Sequence, residues 1–360
     1  MYFIEGVFIY LMLVFAIWLY SKVTKQSEQY KVCLFAFILL SLFAGLSYDI
    51  GWDYLAYRDA IMCGDVERFE YFERVLMQWS RNTPQLFFLV NHTIIVGLIM
   101  WTVNRYSPDK LLSILVFICF PFQFLFGLST IRAAVVVAMI FFGYNYFLKE
   151  RNQPIGYIVV VALGFFVHKA SPIGLLLLLI HYLKIGRLGN LVILSLSFFT
   201  TFINVDLTGL AFLNDVSAFE GISDQLEYYT DADYGGGAMI HYCFFVLSLI
   251  GILFYKRIAN NENAKIYLTM VTVGYFISML FQASSTFSSR FSRFFYIFCI
   301  LLIPEYLSLF PKHIRTIAKE VIVCVLIALL LYQLSINNYT GYTLERISTY
   351  WPYHTVFQVL

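Results

Sequence analysis

Residues 128–172 read LSTIRAAVVVAMIFFGYNYFLKERNQPIGYIVVVALGFFVHKASP, two apolar runs joined by one short polar segment at 149–154. A chain written this way crosses an apolar medium and returns at once. Arg132 at the start of the first run and His168 at the end of the second are then brought to the same side. An ionisable side chain at the centre of a bilayer costs roughly 3 kcal/mol or more, so a guanidinium and an imidazole at the mouth of one helix pair are candidates for function, each the other's neighbour. Arg132 has no acid beside it in the sequence and is therefore expected to face a polar cavity.

Composition fixes the class. The 360 residues are 60% hydrophobic and 13% charged, with 37 Phe and 27 Tyr, and the mean hydropathy is +0.75. No soluble domain needs so much apolar surface. Segments that cross the roughly 30 Å hydrocarbon layer must be helices, because lipid satisfies no backbone group. The fold class is an all-α polytopic membrane protein. Beyond the central pair, apolar runs lie at 3–20, 32–47, 85–103, 111–127, 172–183, 191–203, 238–255, 266–283, 293–310 and 321–336, about twelve transmembrane helices in all. The first has no basic stretch ahead of it and no small-residue cleavage site behind it, and is read as a retained helix. No internal repeat and no Pro- or Ser-rich linker divides the chain, so residues 1–360 are read as a single transmembrane domain.

Orientation follows from the connections. Those at 21–31, 104–110, 149–154, 184–190, 256–265 and 311–320 carry Lys or Arg and alternate with the rest, so they face the cytoplasm and both termini lie outside. Every lysine but Lys169 is then inside, while Arg58, Arg68, Arg74, Arg81, Arg132, Arg290, Arg293 and Arg346 are outside. Arginine's rigid fork suits bidentate binding of phosphate or carboxylate; Arg68, Arg74 and Arg346 are read as pairing with nearby acids or with headgroups. Two long outer loops stand out, at 48–84 and 204–237. In the first, Val66, Phe69, Phe72, Val75, Leu76 and Trp79 recur at helical spacing with Glu67, Glu70, Arg74 and Gln78 between them, the pattern of a helix lying in the membrane interface. The second carries seven acids and no base before Gly235-Gly236-Gly237. It is a solvated acidic loop, or a gate or sugar platform built on Tyr228, Tyr229 and Tyr234.

Four places put unusual chemistry at outer helix ends: Asp49 and Asp53 with Tyr57 and Arg58; Glu73; Arg132 with His168; and Arg290 with Arg293, three apart and so on one helix face. Transfer from a lipid diphosphate would need such a set. Arginines hold the leaving diphosphate, and a carboxylate or histidine takes the proton of the attacking hydroxyl. Asp53 and Glu73 compete for that proton, with His168 a third candidate; Asp53 is favoured over Glu73 because Gly51 permits a tight turn beside it, although Asp53 also suits a structural pairing with Arg58, and His168 a hydrogen bond to Ser171. His92, His181, His241 and Asn91 are read as packing or helix contacts, and Tyr350 to His354 as an aromatic interface anchor. The six cysteines form no CxxC, and no His or Cys cluster has metal-ligand spacing.

At Gly51-Trp52-Asp53-Tyr54 with Tyr57, Phe72-Glu73, Arg132-Ala133, Phe166-Val167-His168-Lys169-Ala170-Ser171, and Arg293-Phe294-Phe295-Tyr296 with Pro304, the chain resembles the EpsG family of membrane polysaccharide polymerases. These are the Wzy-type enzymes of O-antigen, capsule and exopolysaccharide assembly. The pieces keep the family's order over nearly the whole chain. Ser47 stands where an arginine often precedes the Gly-x-Asp, and Ala133 where a glutamine often follows the arginine; Arg58 or Arg81 is the candidate to neutralise the first of these corners. The resemblance implies a glycosyltransferase with a GT-C-like arrangement in the bacterial inner membrane, its site facing the periplasm. Such an enzyme moves a glycan block from one undecaprenyl diphosphate carrier to a second carrier-linked repeat unit. Tyr57, Arg58, Arg81 and Lys169 would line the substrate. No cofactor or metal is demanded; a chain-length regulator is an expected partner and nucleic acid is not. The alternatives are another lipid-linked GT-C glycosyltransferase or an O-antigen ligase, and a twelve-helix polysaccharide or small-molecule transporter.

Overall fold

A computed structural model describes residues 2–200, 238–282, 284–336, 349–351 and 353–358. The acidic stretch with its three tyrosines and Gly235 to Gly237, and also Arg346, lie outside the described residues. Among the described residues the protein is all-α apart from one two-residue β pair. It divides into two compact units, one formed by Met1–Leu179 with Cys299–Leu360 and the other by Ile180–Phe298.

The first unit opens with α1 (Tyr2–Val23), α2 (Tyr30–Gly45), β1 (Ser47–Tyr48), α3 (Tyr54–Cys63), α4 (Tyr71–Trp79) and α5 (Gln85–Tyr106). It continues through α6 (Lys110–Cys119), α7 (Phe124–Ser129), α8 (Ile131–Gly143), α9 (Pro154–Phe165) and most of α10 (Leu175–Leu183). Gln85–Tyr106 and Ile131–Glu150 are each long and apolar enough to cross a membrane, the second because a π-helical stretch over Tyr144–Glu150 prolongs α8. Other apolar helices, such as Lys110–Cys119 and Pro154–Phe165, have 10–17 residues.

Some expected helices differ in their bounds, each for a local reason. The run at 111–127 divides into α6 and α7 because Pro121 forces the residue before it out of the helical region. Phe120 is extended (φ −79, ψ 145) and Phe122 has φ 61. The helix-terminal carbonyl of Cys119, which is buried, is then met by the Gln333 side chain at 2.8 Å, the usual need of a helix C-terminus. The helix expected over 66–79 begins only at Tyr71, and a separate α3 fills the earlier half of that loop. α9 and α10 reverse through 166–170 at close range. Ser171 Oγ donates to the Val161 carbonyl at 2.6 Å and Tyr157 O–H to the Gly174 carbonyl at 2.7 Å. A Cβ on Gly164 would collide with Ser171 Oγ.

The chain closes the unit with α16 (Cys299–Ser308), α17 (Lys312–Ile336) and β2 (His354–Thr355); here α11 is Arg187–Thr200, α12 Ala238–Leu253, α13 Tyr255–Ile258, α14 Glu262–Leu280 and α15 Ser285–Tyr296. The aromatic tail turns inward instead of outward. Tyr350 and Trp351 are buried, β2 pairs antiparallel with β1, Tyr10 O–H donates to the Tyr350 carbonyl at 2.8 Å, and Tyr353 O–H to the Phe43 carbonyl at 2.6 Å. The tail also reaches the turn before α3, where Gly51 N–H donates to the Thr349 carbonyl at 3.0 Å. At the opposite end of α8, Glu150 accepts from Arg105 Nε at 2.7 Å and also from Tyr106, and Lys319 pairs with Asp109. The basic connections at 104–110, 149–154 and 311–320 therefore gather at one end, and the tail, the Gly51 turn and the start of α8 at the other.

The second unit holds α11 to α15. Asn190 of α11 donates to Thr269 Oγ1 of α14 at 3.1 Å, and Tyr296 of α15 lies between His241 Nδ1 at 3.1 Å and Ser278 Oγ at 2.8 Å.

Gly51 is the residue on which the turn before α3 depends. Its φ of 92 is left-handed, and a Cβ there would run into the Leu128 carbonyl. Gly51→Ala is expected to destabilise the protein by at least about 2 kcal/mol, read as a lower melting temperature and reduced yield of monodisperse protein in detergent; wild-type melting would contradict this account of the turn.

Candidate active site

The charged residues of the first unit meet where α3, α4, α5, α8 and the 166–170 turn come together. Glu70 is the organising group. It is extended (φ −65, ψ 159) and immediately precedes α4, so its carboxylate leaves the helix axis and reaches the start of α8. There Arg132 Nη1 pairs with Glu70 Oε2, and Lys169 N–H donates to Glu70 Oε1 at 3.2 Å. Phe72 N–H, two residues further along the same segment, donates to the Phe166 carbonyl at 3.0 Å. One main-chain bond, one main-chain to carboxylate bond and an ion pair thus fasten α4 and the residue before it to the α9–α10 turn and to α8.

Arg132 is held from three directions. Nε donates to Tyr57 O–H at 3.0 Å, and the guanidinium lies 5.0 Å from the Phe69 ring centroid and 5.7 Å from that of Tyr57, within cation–π range. Its side chain keeps 23% exposure and that of Glu70 10%, so the pair is shielded but reachable. The acid that answers Arg132 is thus not one beside it in the sequence but one 62 residues away. His168 acts on that same carboxylate, and Ala170 N–H donates to its Nδ1 at 3.0 Å, which leaves the ring proton of the neutral form on Nε2. The bond foreseen between His168 and Ser171 exists only in the main chain, Ser171 N–H to the His168 carbonyl at 3.0 Å.

Glu73, one helical turn beyond Glu70, is fully buried. Asn91 Nδ2 of α5 donates to its Oε2 at 3.1 Å and is itself steadied on the Phe87 carbonyl at 3.2 Å. Glu73 Oε1 and Asn91 Oδ1 meet no hydrogen-bond partner among the described residues. Burial pushes the Glu73 carboxyl up to about 7, against the pull of Asn91 and Arg132. Glu70 behaves oppositely: burial raises it, but Arg132 and His168 outweigh that and hold it below the ordinary carboxylate range. Burial also drives the Tyr57 phenol up to about 12, with Arg132 opposing. Two neighbouring carboxyls with divergent proton affinities are what acid–base chemistry needs.

The other expected residues each have a setting of their own. Asp53 precedes α3, half-buried, and its charge is felt by Tyr57. Arg58 lies over the Tyr48 ring at 5.6 Å and 4.0 Å from Asp59, not on Asp53. Arg81 is exposed beside Gly64. Lys169 is exposed and contributes its main-chain N–H. Arg290 and Arg293 lie on α15 of the second unit, half-buried and buried respectively. Arg74 pairs with Glu67 at 2.7 Å, the plain surface pairing expected of it. Glu70, read only as a polar position on the interfacial helix, and Asn91, read as a packing contact, join the site here, although an ionisable or amide group facing an apolar run is itself a signal. Among the described residues no group of His, Cys, Asp and Glu could hold a metal ion.

A model of the EpsG family matches residues 30–355, across both units. The chain belongs to the EpsG family. That family is one of Wzy-type polymerases and exopolysaccharide glycosyltransferases. With its apolar helices, this EpsG-family chain is a membrane-embedded protein. No curated protein and no solved structure matches it.

The two carboxyls give opposite signs of pH dependence. Glu73, raised from 4.5 to about 7, stabilises the fold fully below its unfolded value and loses that contribution as pH rises through 7. Glu70, lowered, loses its contribution only as pH falls through its own folded value, below the ordinary range. Between pH 4.5 and 7 stability should therefore fall by on the order of 3 kcal/mol from Glu73 alone. Melting temperatures of purified protein across that window should show the fall in wild type and a flatter profile in Glu73→Gln; equal slopes would refute the assignment.

Proposed function

We propose that this EpsG-family protein polymerises lipid diphosphate-linked oligosaccharide repeat units, building O-antigen, capsule or exopolysaccharide by block transfer at the outer face of a bacterial inner membrane. The observation that carries the reading is the convergence of Asp53, Tyr57, Glu70, Glu73, Arg132 and His168 at the end of the first unit opposite the basic connections. With the basic end toward the cytoplasm, the cluster faces the periplasm, where a lipid carrier presents its glycan. About twelve spans with both termini outside is the topology that agrees with this orientation.

In the reaction a hydroxyl of the acceptor repeat unit attacks the anomeric carbon of the donor glycan. The bond between that carbon and the diphosphate oxygen breaks with its electron pair on the oxygen, and the hydroxyl proton passes to a protein base. Arg132 is placed to hold the departing diphosphate, exchanging the Glu70 oxygens for those of phosphate, a fork geometry that suits both. Arg290 and Arg293 of α15 in the second unit are proposed to bind phosphate, and Tyr57, Arg58, Arg81 and Lys169 to contact the sugars. The donor and acceptor are undecaprenyl diphosphate-linked glycans, and chain length is set with a regulatory partner.

A strain lacking this gene is expected to carry surface glycan one repeat unit long, with polymer restored by the wild-type gene and not by Arg132→Ala or His168→Ala expressed at normal level. Full-length chains in the deletion strain would refute the function. Restoration by either variant would remove that residue from the site.

A further inference from the structure

Glu73 and Asn91 present an arrangement that packing does not explain. Each carries a buried oxygen with no donor among the described residues, Glu73 Oε1 and Asn91 Oδ1, while the Asn91 amide nitrogen is spent on Glu73 Oε2 and the Phe87 carbonyl. A buried acceptor left without a donor is costly. A carboxyl in that position is relieved by taking a proton. The groups acting on it come from every packed element. Glu70 lies on its own segment and Tyr57 on α3, Arg132 on α8 is already engaged by Glu70, and Asn91 on α5 is neutral; His92, next along α5, turns its Nδ1 to the Phe88 carbonyl at 2.8 Å.

We propose that Glu73 is the base of the transfer, taking the hydroxyl proton on Oε1, that Asn91 is a positioning residue fixing Oε2, and that Glu70 keeps the Arg132 charge from Glu73. The proposal rests on the polymerase reading and deepens it by choosing among the three proton acceptors. The hydroxyl O–H bond breaks as its oxygen bonds the anomeric carbon, the diphosphate leaves with the electron pair of its bond to that carbon, and the proton ends on Oε1 until solvent or the next cycle removes it. Glu70 is unsuited to the task because the guanidinium stabilises its charged form. Glu73 has the opposite bias, and a base is most effective with its proton affinity near the working pH. If Glu70 loses its charge, Arg132 is released toward Glu73 and its affinity for the proton drops; if Asn91 goes, the charged form loses its hydrogen bond and the affinity climbs.

The test is a pair of opposite shifts. Membrane vesicles containing the full chain and supplied with lipid-linked repeat unit are assayed for polymer across pH. The acid limb of the rate profile is expected to move up by about one pH unit in Asn91→Leu and Asn91→Ser, and down by about one in Glu70→Gln. A second measurement does not depend on turnover. An infrared titration of the purified protein should show a protonated-carboxyl band that vanishes in Glu73→Gln and whose midpoint moves in the same two directions. Midpoints unmoved, or moved the same way in both variants, would overturn the proposal. Vesicles that make no polymer from any variant, wild type included, while the infrared midpoints move as expected, would overturn the polymerase reading and leave the proton pair standing.

Discussion

The Arg132–Glu70 ion pair is the contact on which the geometry of the first unit turns. A guanidinium at the entry of an apolar helix needs a counter-charge or a water-filled surrounding, and here it receives a carboxylate delivered from outside the helical bundle. That delivery fixes more than a charge. Because Glu70 is also bonded by the Lys169 N–H, and its neighbour Phe72 by the Phe166 carbonyl, the pair sets α4 against the α9–α10 turn and brings His168 to the same carboxylate. Removing one partner from so shielded a pair leaves an uncompensated charge, which is far more damaging than removing both.

The pair also shapes its neighbour. Glu73 lies one turn further along α4, close enough to feel Arg132 yet without its full attraction, since Glu70 stands nearer. Two glutamates three residues apart thus hold different protonation preferences, and the cause is position: one lies before the first turn facing a cation, the other in the helix facing Asn91 and apolar side chains. The same logic fixes Tyr57, whose phenol accepts from Arg132 while its ring packs on Phe87 and Phe69.

Around this centre the fold uses its own tail as a brace. Thr349 and Tyr350 hold the turn before α3 through Gly51 and Ser129, and Tyr353 and β2 tie the same strand to α2 and β1. Rigid support of this kind keeps functional side chains within the narrow tolerances that chemistry needs. It also holds the left-handed backbone of Asp49 and Gly51, where the chain turns into α3.

By itself the sequence determined the membrane class, the apolar helices, the family and most of the charged residues near the centre, since hydropathy, helical spacing and short motifs are local properties that survive in one dimension. Asp53, Tyr57, Glu73, Arg132 and His168 were legible because a polar group at a helix end stands out against an apolar run. The tertiary structure alone decided that Glu70 belongs to Arg132, that Asn91 belongs to Glu73, and that the tail folds inward. These are pairings across 62, 18 and as many as 340 residues, and a contact between distant residues leaves no periodic trace in the chain that makes it. Where α4 begins was equally beyond the pattern of its apolar residues. One extended residue before Tyr71 moved Glu70 off the helix, and burial, which only packing can supply, then gave two like side chains unlike chemistry.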